Sequence, residues 1–325
     1  MPEVWLVGDA GLPDGGPDNL ADWLGRPLPD NLHCRIPGRW HRPPLAGLLF
    51  RRSLRALRRQ DAVLLCRDPR VACAERGRWK QVILEWHIRP QAGEPQHRNA
   101  FEAADLHVAV AAGIARDLEQ GGVPADQILG LPNACGVAVD RACRRHREAR
   151  GKAVEGGFVL AMGLHRRGGL DLALEAWRED PALPQLLVAG RDQGGERVEA
   201  WQRAIDADPR LRGRVRLVGP RWGVTREDLL DGELLWLCLY PRDEDSIEHL
   251  SPLQVADAAG SGLPLVATDL PSVRRLLDGS PAVLVVPEDP VALAAGVRQG
   301  LDSGAPDPLQ RFRWRDRAQY LLERK

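Results

Sequence analysis

Residues 251–277 run Ser-Pro-Leu-Gln-Val-Ala-Asp-Ala-Ala-Gly-Ser-Gly-Leu-Pro-Leu-Val-Ala-Thr-Asp-Leu-Pro-Ser-Val-Arg-Arg-Leu-Leu. Their order decides the fold. Ser251 suits a helix N-cap, and Pro252 suits the first helical position, where its missing N–H costs nothing. The free N–H groups of that first turn, with the positive end of the helix dipole, form a ready site for a phosphate. Asp257 lies further along the same helix, where a carboxylate can accept hydrogen bonds from sugar hydroxyls. Gly262 and Pro264 end the helix, and Leu265-Val266-Ala267-Thr268 is short and apolar enough for a central parallel strand.

Outward from this stretch, short apolar strands alternate with helical segments, the pattern of a doubly wound α/β protein. In the first half the strands are expected at 4–7, 62–66, 81–85, 106–110 and 128–131. The second half restarts at 158–163 and continues through 185–190, 215–219 and 236–240. Between the halves, residues 136–157 are charged, contain glycine and are poor in large apolar groups, as a linker should be.

Composition limits the function classes. At 325 residues, two domains of ordinary size or one very large domain are expected, and 44% hydrophobic content supports a packed core. Lys+Arg and Asp+Glu balance at 45 each, so no overall field favours nucleic acid as a partner. The six cysteines, Cys34, Cys66, Cys73, Cys135, Cys143 and Cys238, form no CxxC pair and no metal spacing, and reduced thiols are expected. No signal peptide precedes Trp5 and no apolar run reaches bilayer-spanning length, so a soluble, cytoplasmic protein is expected.

The 251–271 run closely resembles the donor-binding segment of retaining, nucleotide-sugar-dependent glycosyltransferases of the GT-B fold, family-4 type. Ser251-Pro252-Leu253, Gly262, Pro264, Val266-Ala267-Thr268 and Asp269-Leu270-Pro271 agree with that family in register. Two positions depart: the family's Lys is Gln254, and its Glu is Asp257. The order of the remaining pieces is also similar. A Gly15-Gly16 loop follows the first strand, Glu85-Trp86-His87 stands where many members have Glu-x-His, and Pro132-Asn133 stands where Pro-Asn-Gly is usual.

The resemblance implies two Rossmann-like doubly wound domains facing a cleft. Residues 1–150 would form the acceptor-side domain and residues 151–308 the donor domain. Residues 309–325 would form a last helix packing back on the first domain. It also implies transfer of a sugar from a nucleoside diphosphate, UDP or GDP, to an acceptor hydroxyl with retention. The resemblance implies no resident cofactor and no metal. The helix dipole and arginines would stabilise the leaving diphosphate instead.

Donor contacts are expected from Gly15, Gly16, Gly163, Arg166, Arg167, Ser251, Pro252, Leu253, Gln254 and Asp257. In the Gly163–Gly169 loop the family usually carries a Lys, and here Arg166 or Arg167 must supply the charge; paired guanidinium bonds suit phosphate. His87 ends a strand and is expected to point into the cleft. The family's acidic residue eight positions before the Glu falls on His249, with Glu248 beside it, so either of the two is open as the donor-sugar contact. His87, Arg167, Glu248 and His249 are therefore the catalytic candidates.

Residues 39–59 hold seven arginines and no acid, with Leu45, Leu48, Leu49, Ala56 and Leu57 near one helical face. Such a helix either packs as part of the domain wall or lies on an anionic membrane surface at the inner face, where a lipid-linked or saccharide acceptor would be met. A non-catalytic sugar-nucleotide or glycan-binding protein is the rival reading, motivated by Gln254 and Asp257. A nicotinamide-dependent oxidoreductase is disfavoured, since no strand is followed by G-x-G-x-x-G with an acid about 20 residues on.

Overall fold

The computed structural model describes residues 4–7, 32–35, 52, 54–56, 62–134, 158–162, 169–189, 196–218, 233–261, 264–277, 282–303 and 314–323. Three sheets are present among them, and every strand pairing is parallel. Strands β1 (Val4–Val7) and β2 (Leu32–Arg35) form a pair. Strands β3 (Val63–Cys66), β4 (Gln81–Trp86), β5 (Leu106–Ala109) and β6 (Ile128–Gly130) form a four-stranded sheet in sequence order. Helices α1 (Pro69–Glu75), α2 (Pro95–Ala103) and α3 (Ala112–Gln120) connect these strands. The start of α1 follows local chemistry: Asp68 accepts the Arg70 N–H at 2.9 Å, and Pro69 occupies the first turn.

The second half builds a six-stranded sheet from β7 (Phe158–Met162), β8 (Gln185–Ala189), β9 (Val215–Val218), β10 (Glu233–Cys238), β11 (Leu265–Thr268) and β12 (Val283–Val285). Their order is β12-β11-β10-β7-β8-β9, so the chain starts at the centre and winds first to one edge and then to the other. The connecting helices are α4 (Leu170–Glu179), α5 (Glu196–Ala207), α6 (Glu244–Glu248), α7 (Leu253–Ser261), α8 (Pro271–Leu276) and α9 (Pro290–Asp302). A further helix, α10 (Trp314–Glu323), follows them.

Side chains alternate across the second sheet and seed a core on each face. Leu235, Leu237, Leu186 and Val266 point to one face with Leu174, Trp177, Leu293 and Val297. Trp236, Cys238, Leu187, Leu265 and Ala267 point to the other with Val255, Ala258 and Val273. Each fully buried side chain of this size contributes roughly 1.5–3 kcal/mol relative to exposure. The first-half core gathers Leu64, Val82, Leu84, Trp86, Phe101, Ile114 and Leu118. Leu321 of α10 packs with Ile83, Leu106, Val108 and Leu129 of the four-stranded sheet.

Most expected strands fall in place, with three differences. β10 starts at Glu233 and ends at Cys238, two residues before the expected end. The Tyr240 N–H is satisfied by Thr268 Oγ1 at 2.9 Å instead of a ladder carbonyl. β2 and β12 have no counterpart among the sequence expectations. Within 39–59, Arg52 and residues 54–56 are described, and they correct the assigned face: Ala56 is exposed, whereas Leu54 is buried among Leu64, Ala72 and Val82. Packing selects the residue with more apolar surface to remove from water. The linker expected at 136–157 lies outside the described residues. No described helix is long and apolar enough to cross a membrane.

Candidate active site at the meeting of two strand-end edges

Because β4, β5 and β6 are parallel and in register, with Trp86 beside Ala109 and Ala109 beside Gly130, their carboxyl ends share one edge. Ligands in open α/β sheets gather at such edges. His87 follows β4, α3 follows β5, and Leu131 to Asn133 follow β6. This edge meets residues 248–251, which lead into α7. The Asn133 N–H donates to Ser251 Oγ at 3.0 Å, and its Nδ2 donates to the Ser251 carbonyl at 2.6 Å. Arg116 and Asp117 of α3 reach Glu248 at 2.7 Å and His249 at 2.9 Å. Gly113 allows that approach, since a Cβ there would lie 2.6 Å from the Glu248 carbonyl oxygen.

Glu248 is held from both sides. Arg275 donates to it at 2.9 and 3.3 Å, and Arg116 closes the other flank. These bonds, Arg275's first, keep its carboxyl below the usual range. His249 Nε2 faces the Asp117 carboxylate, which only accepts, so Nε2 carries the hydrogen and Nδ1 of the neutral ring is an acceptor. That Nδ1 is buried without a hydrogen-bond partner among the described residues, and so is Asn133 Oδ1. A buried unsatisfied acceptor costs roughly 1–3 kcal/mol, which a ligand hydroxyl or amide would offset.

Helix α7 begins at Leu253, with the Ala256 N–H on the Pro252 carbonyl at 3.2 Å. The expected N-cap role of Ser251 is therefore corrected: the helix starts later, and the Ser251 hydroxyl takes the Asn133 amide of the other edge. The amides of Leu253, Gln254 and Val255 open the helix, where no preceding turn can accept from them. Gln254 Oε1 accepts from the Tyr240 hydroxyl at 2.5 Å, and burial raises that phenol's pKa far above the ordinary value. Asp257 is buried one turn further on, and Leu253 is exposed.

Across the junction, His87 Nε2 bonds to Glu85 Oε1. Glu85 is 2% exposed and also pairs with Arg67 at 3.1 Å and with Arg317 of α10 at 2.8 Å. Burial pushes its carboxyl up, but the His87 hydrogen bond and the Arg317 charge outweigh that and bring it down to about 2. Arg89 pairs with Asp117 at 3.0 Å, linking the 87–89 segment to the carboxylate that holds His249. A second histidine beneath the edge, His107, is fully buried and satisfied. Trp86 Nε1 donates to its Nδ1 at 3.0 Å, and its Nε2 faces the Phe101 carbonyl at 3.2 Å. Burial lowers its pKa to about 4 and keeps it neutral.

Thus Glu248, His249, Ser251, Pro252, Leu253, Gln254 and Asp257 lie on one continuous segment, and His87 lies at the edge that this segment meets. Gly15, Gly16, Gly163, Arg166 and Arg167 lie outside the described residues. Glu85, Asp117, Asn133 and Arg317 were not among the sequence candidates. Glu85 and Asn133 stood inside quoted motifs, whereas Asp117 and Arg317 carried no local signal. Among the described residues no group of three or more His, Cys, Asp or Glu side chains could hold a metal ion.

Comparison with known proteins agrees with this architecture. Residues 156–303 match the family model described as Glycosyl transferases group 1. No curated protein sequence matches the chain. Among solved structures, HepE of Anabaena in complex with UDP and glucose is similar at TM-score 0.68 and 17% identity, over 99% of each chain. Sucrose-phosphate synthase of Thermosynechococcus elongatus is similar at TM-score 0.66 and 13% identity, over 99% of this chain and 98% of its own. A glycosyltransferase of Rickettsia africae is similar at TM-score 0.63 and 11% identity, over 99% and 97%. At these identities the likeness shows the fold, an α/β architecture of parallel sheets shared with glycosyltransferases.

Proposed function

We propose that the protein is a retaining glycosyltransferase that moves a sugar from a nucleoside diphosphate, UDP or GDP, to an acceptor hydroxyl. The observation that carries this reading is the start of α7. It presents first-turn amides at the edge where both sheets meet, inside the segment that matches the glycosyltransferase family model. Such amides are fixed dipoles already aimed at the charge that develops on a leaving diphosphate, and they act without reorganising. Arg166 and Arg167 would add cations, Asp257 would meet the ribose, and His87 with His249 would meet sugar hydroxyls. The complexes of HepE with UDP, glucose and UDP-glucose support a nucleotide-sugar donor. The acceptor in this reading is a saccharide or a lipid-linked hydroxyl. A lipid-linked acceptor would be met through peripheral contact of the 39–59 segment with the inner membrane face.

One observation favours the second reading, a sugar-nucleotide-binding protein without turnover. Gln254, standing where the family has a cation, is engaged by Tyr240. A thermal-shift screen against UDP-, GDP-, ADP- and dTDP-sugars, followed by product analysis by NMR, separates the two. Stabilisation by one donor with an α-to-α or β-to-β product supports retaining transfer. Stabilisation without product supports the binding protein, and stabilisation by NAD alone would defeat both.

A further inference from the structure

Arg317 sits where nothing in its sequence neighbourhood announces it, 185 residues beyond the Pro132 carbonyl to which its Nε donates at 3.0 Å. Its side chain is 6% exposed, and its guanidinium touches both strand ends that border the site. Nη1 lies 2.8 Å from Glu85 Oε2 at the end of β4, and Nη2 donates to the Leu131 carbonyl at 3.3 Å beyond β6. On the first side, the other oxygen of Glu85 meets His87 Nε2. On the second side, Asn133 follows directly and donates twice to Ser251. One planar fork thus ties together the two backbone segments that carry His87 and the Ser251 contact. A lysine ammonium, a point charge on a flexible stem, has no such fork.

A carboxylate only accepts, so the His87 nitrogen that faces Glu85 carries the hydrogen. The neutral ring then offers Nδ1 as an acceptor. Among the described residues nothing partners that Nδ1. We propose that Arg317 is a positioning residue that acts through Glu85 and holds His87 as the Nε2–H tautomer, leaving Nδ1 open to a substrate hydroxyl. The identity of that hydroxyl rests on the glycosyl-transfer reading; the tautomer does not.

The test is nitrogen-15 NMR of histidine-labelled full-length protein at alkaline pH, with His87 assigned by its loss in His87→Gln. In the native protein the Nε2–H form should exceed the other by roughly tenfold or more, as a charge-assisted bond requires. Glu85→Gln gives the sharper result, because it keeps size and shape. Glu85 Oε1 accepts from Arg67 as well as facing His87, so the change is made together with Arg67→Met; Arg317, which only donates, then takes the amide oxygen and turns the amide NH2 toward His87. In that double variant the ring should switch to the Nδ1–H form, and the switch should vanish when Arg317→Met is added, because no donor then fixes the amide oxygen. A native mixture of tautomers overturns the proposal, as does a ring that stays Nε2–H in Glu85→Gln with Arg67→Met. Titration of the labelled protein with UDP-glucose and GDP-mannose separates this from the functional reading. A correct tautomer pattern that responds to no nucleotide sugar supports the positioning role and counts against glycosyl transfer alone.

Discussion

The four-stranded sheet and the six-stranded sheet are held together in different ways. In the second, alternate residues of β8, β10 and β11 feed an apolar core on each face, and its buried polar side chains, Asp180, Ser246, Asp257, Thr268 and Ser272, include no histidine and no glutamate. The first sheet and its helices bury two histidines and two glutamates: Glu85, His107 and Asn133 lie in it or at its edge, and Glu75 and His97 on α1 and α2. Apolar packing sets a platform for α7, and buried polar pairs set the directions of the side chains that face it. The difference teaches where substitution should damage stability and where it should damage binding.

The largest effect should come from removing the fork at the first sheet. Arg317→Met leaves Glu85 buried with its remaining partners His87 and Arg67, and breaking a buried pair in this way costs about 3–5 kcal/mol. Urea unfolding should show that loss, and a change below about 1 kcal/mol would mean that the pair contributes little beyond geometry. Acid should then separate the two sheets. The folded His107 titrates near 4 against an ordinary 6.5. Below about 6.5 the unfolded chain takes up a proton that the folded chain refuses, so stability present above that pH is lost as it falls toward 4. The loss is about 3 kcal/mol. Glu85, held near 2, adds its own loss only below the ordinary carboxylate range. Urea midpoints measured from neutral pH down to about 5 should fall in the native protein and stay flatter in His107→Gln.

In the second sheet an uncharged change should matter more. A Cβ at Gly296 would lie 2.3 Å from Val285 Cγ1, so Gly296→Ala should cost about 1–3 kcal/mol by overpacking, with no dependence on pH. The smallest effect on stability should come from Glu248→Gln. Its partners Arg116 and Arg275 are about half exposed, and such pairs contribute at or below about 1 kcal/mol. A larger loss, read from melting curves at low and high salt, would show that the link between α3 and residue 248 stabilises the chain as a core does.

The same contrast governs what the sequence revealed. The second sheet was legible because its order is local: Leu265–Thr268 is apolar, follows a Gly-x-Pro turn and emerged with its expected bounds. β12 escaped because three residues, Val283–Val285, carry too little periodicity to register. β2, Leu-His-Cys-Arg, escaped because half of it is polar. At the site, the 248–257 segment was readable because it is contiguous. The partners that orient it were not. Asp117 reaches His249 across 132 residues, and Arg317 reaches Pro132 across 185, and no spacing rule spans such gaps. His87 was readable as a position, but its orientation by Glu85 and Arg317 was not.

Hydrogen exchange with and without nucleoside diphosphate tests the central claim most directly. The claim is that the first turn of α7 receives the diphosphate. The amides of Leu253, Gln254 and Val255 have no preceding turn to accept from them, so they should exchange fast in the free protein. Saturating UDP or GDP should slow them more than the amides of α9, which packs against β10, β11 and β12. If nucleotide binds and protection appears elsewhere while residues 253–255 keep their free rate, α7 is a structural helix and the donor site lies somewhere else.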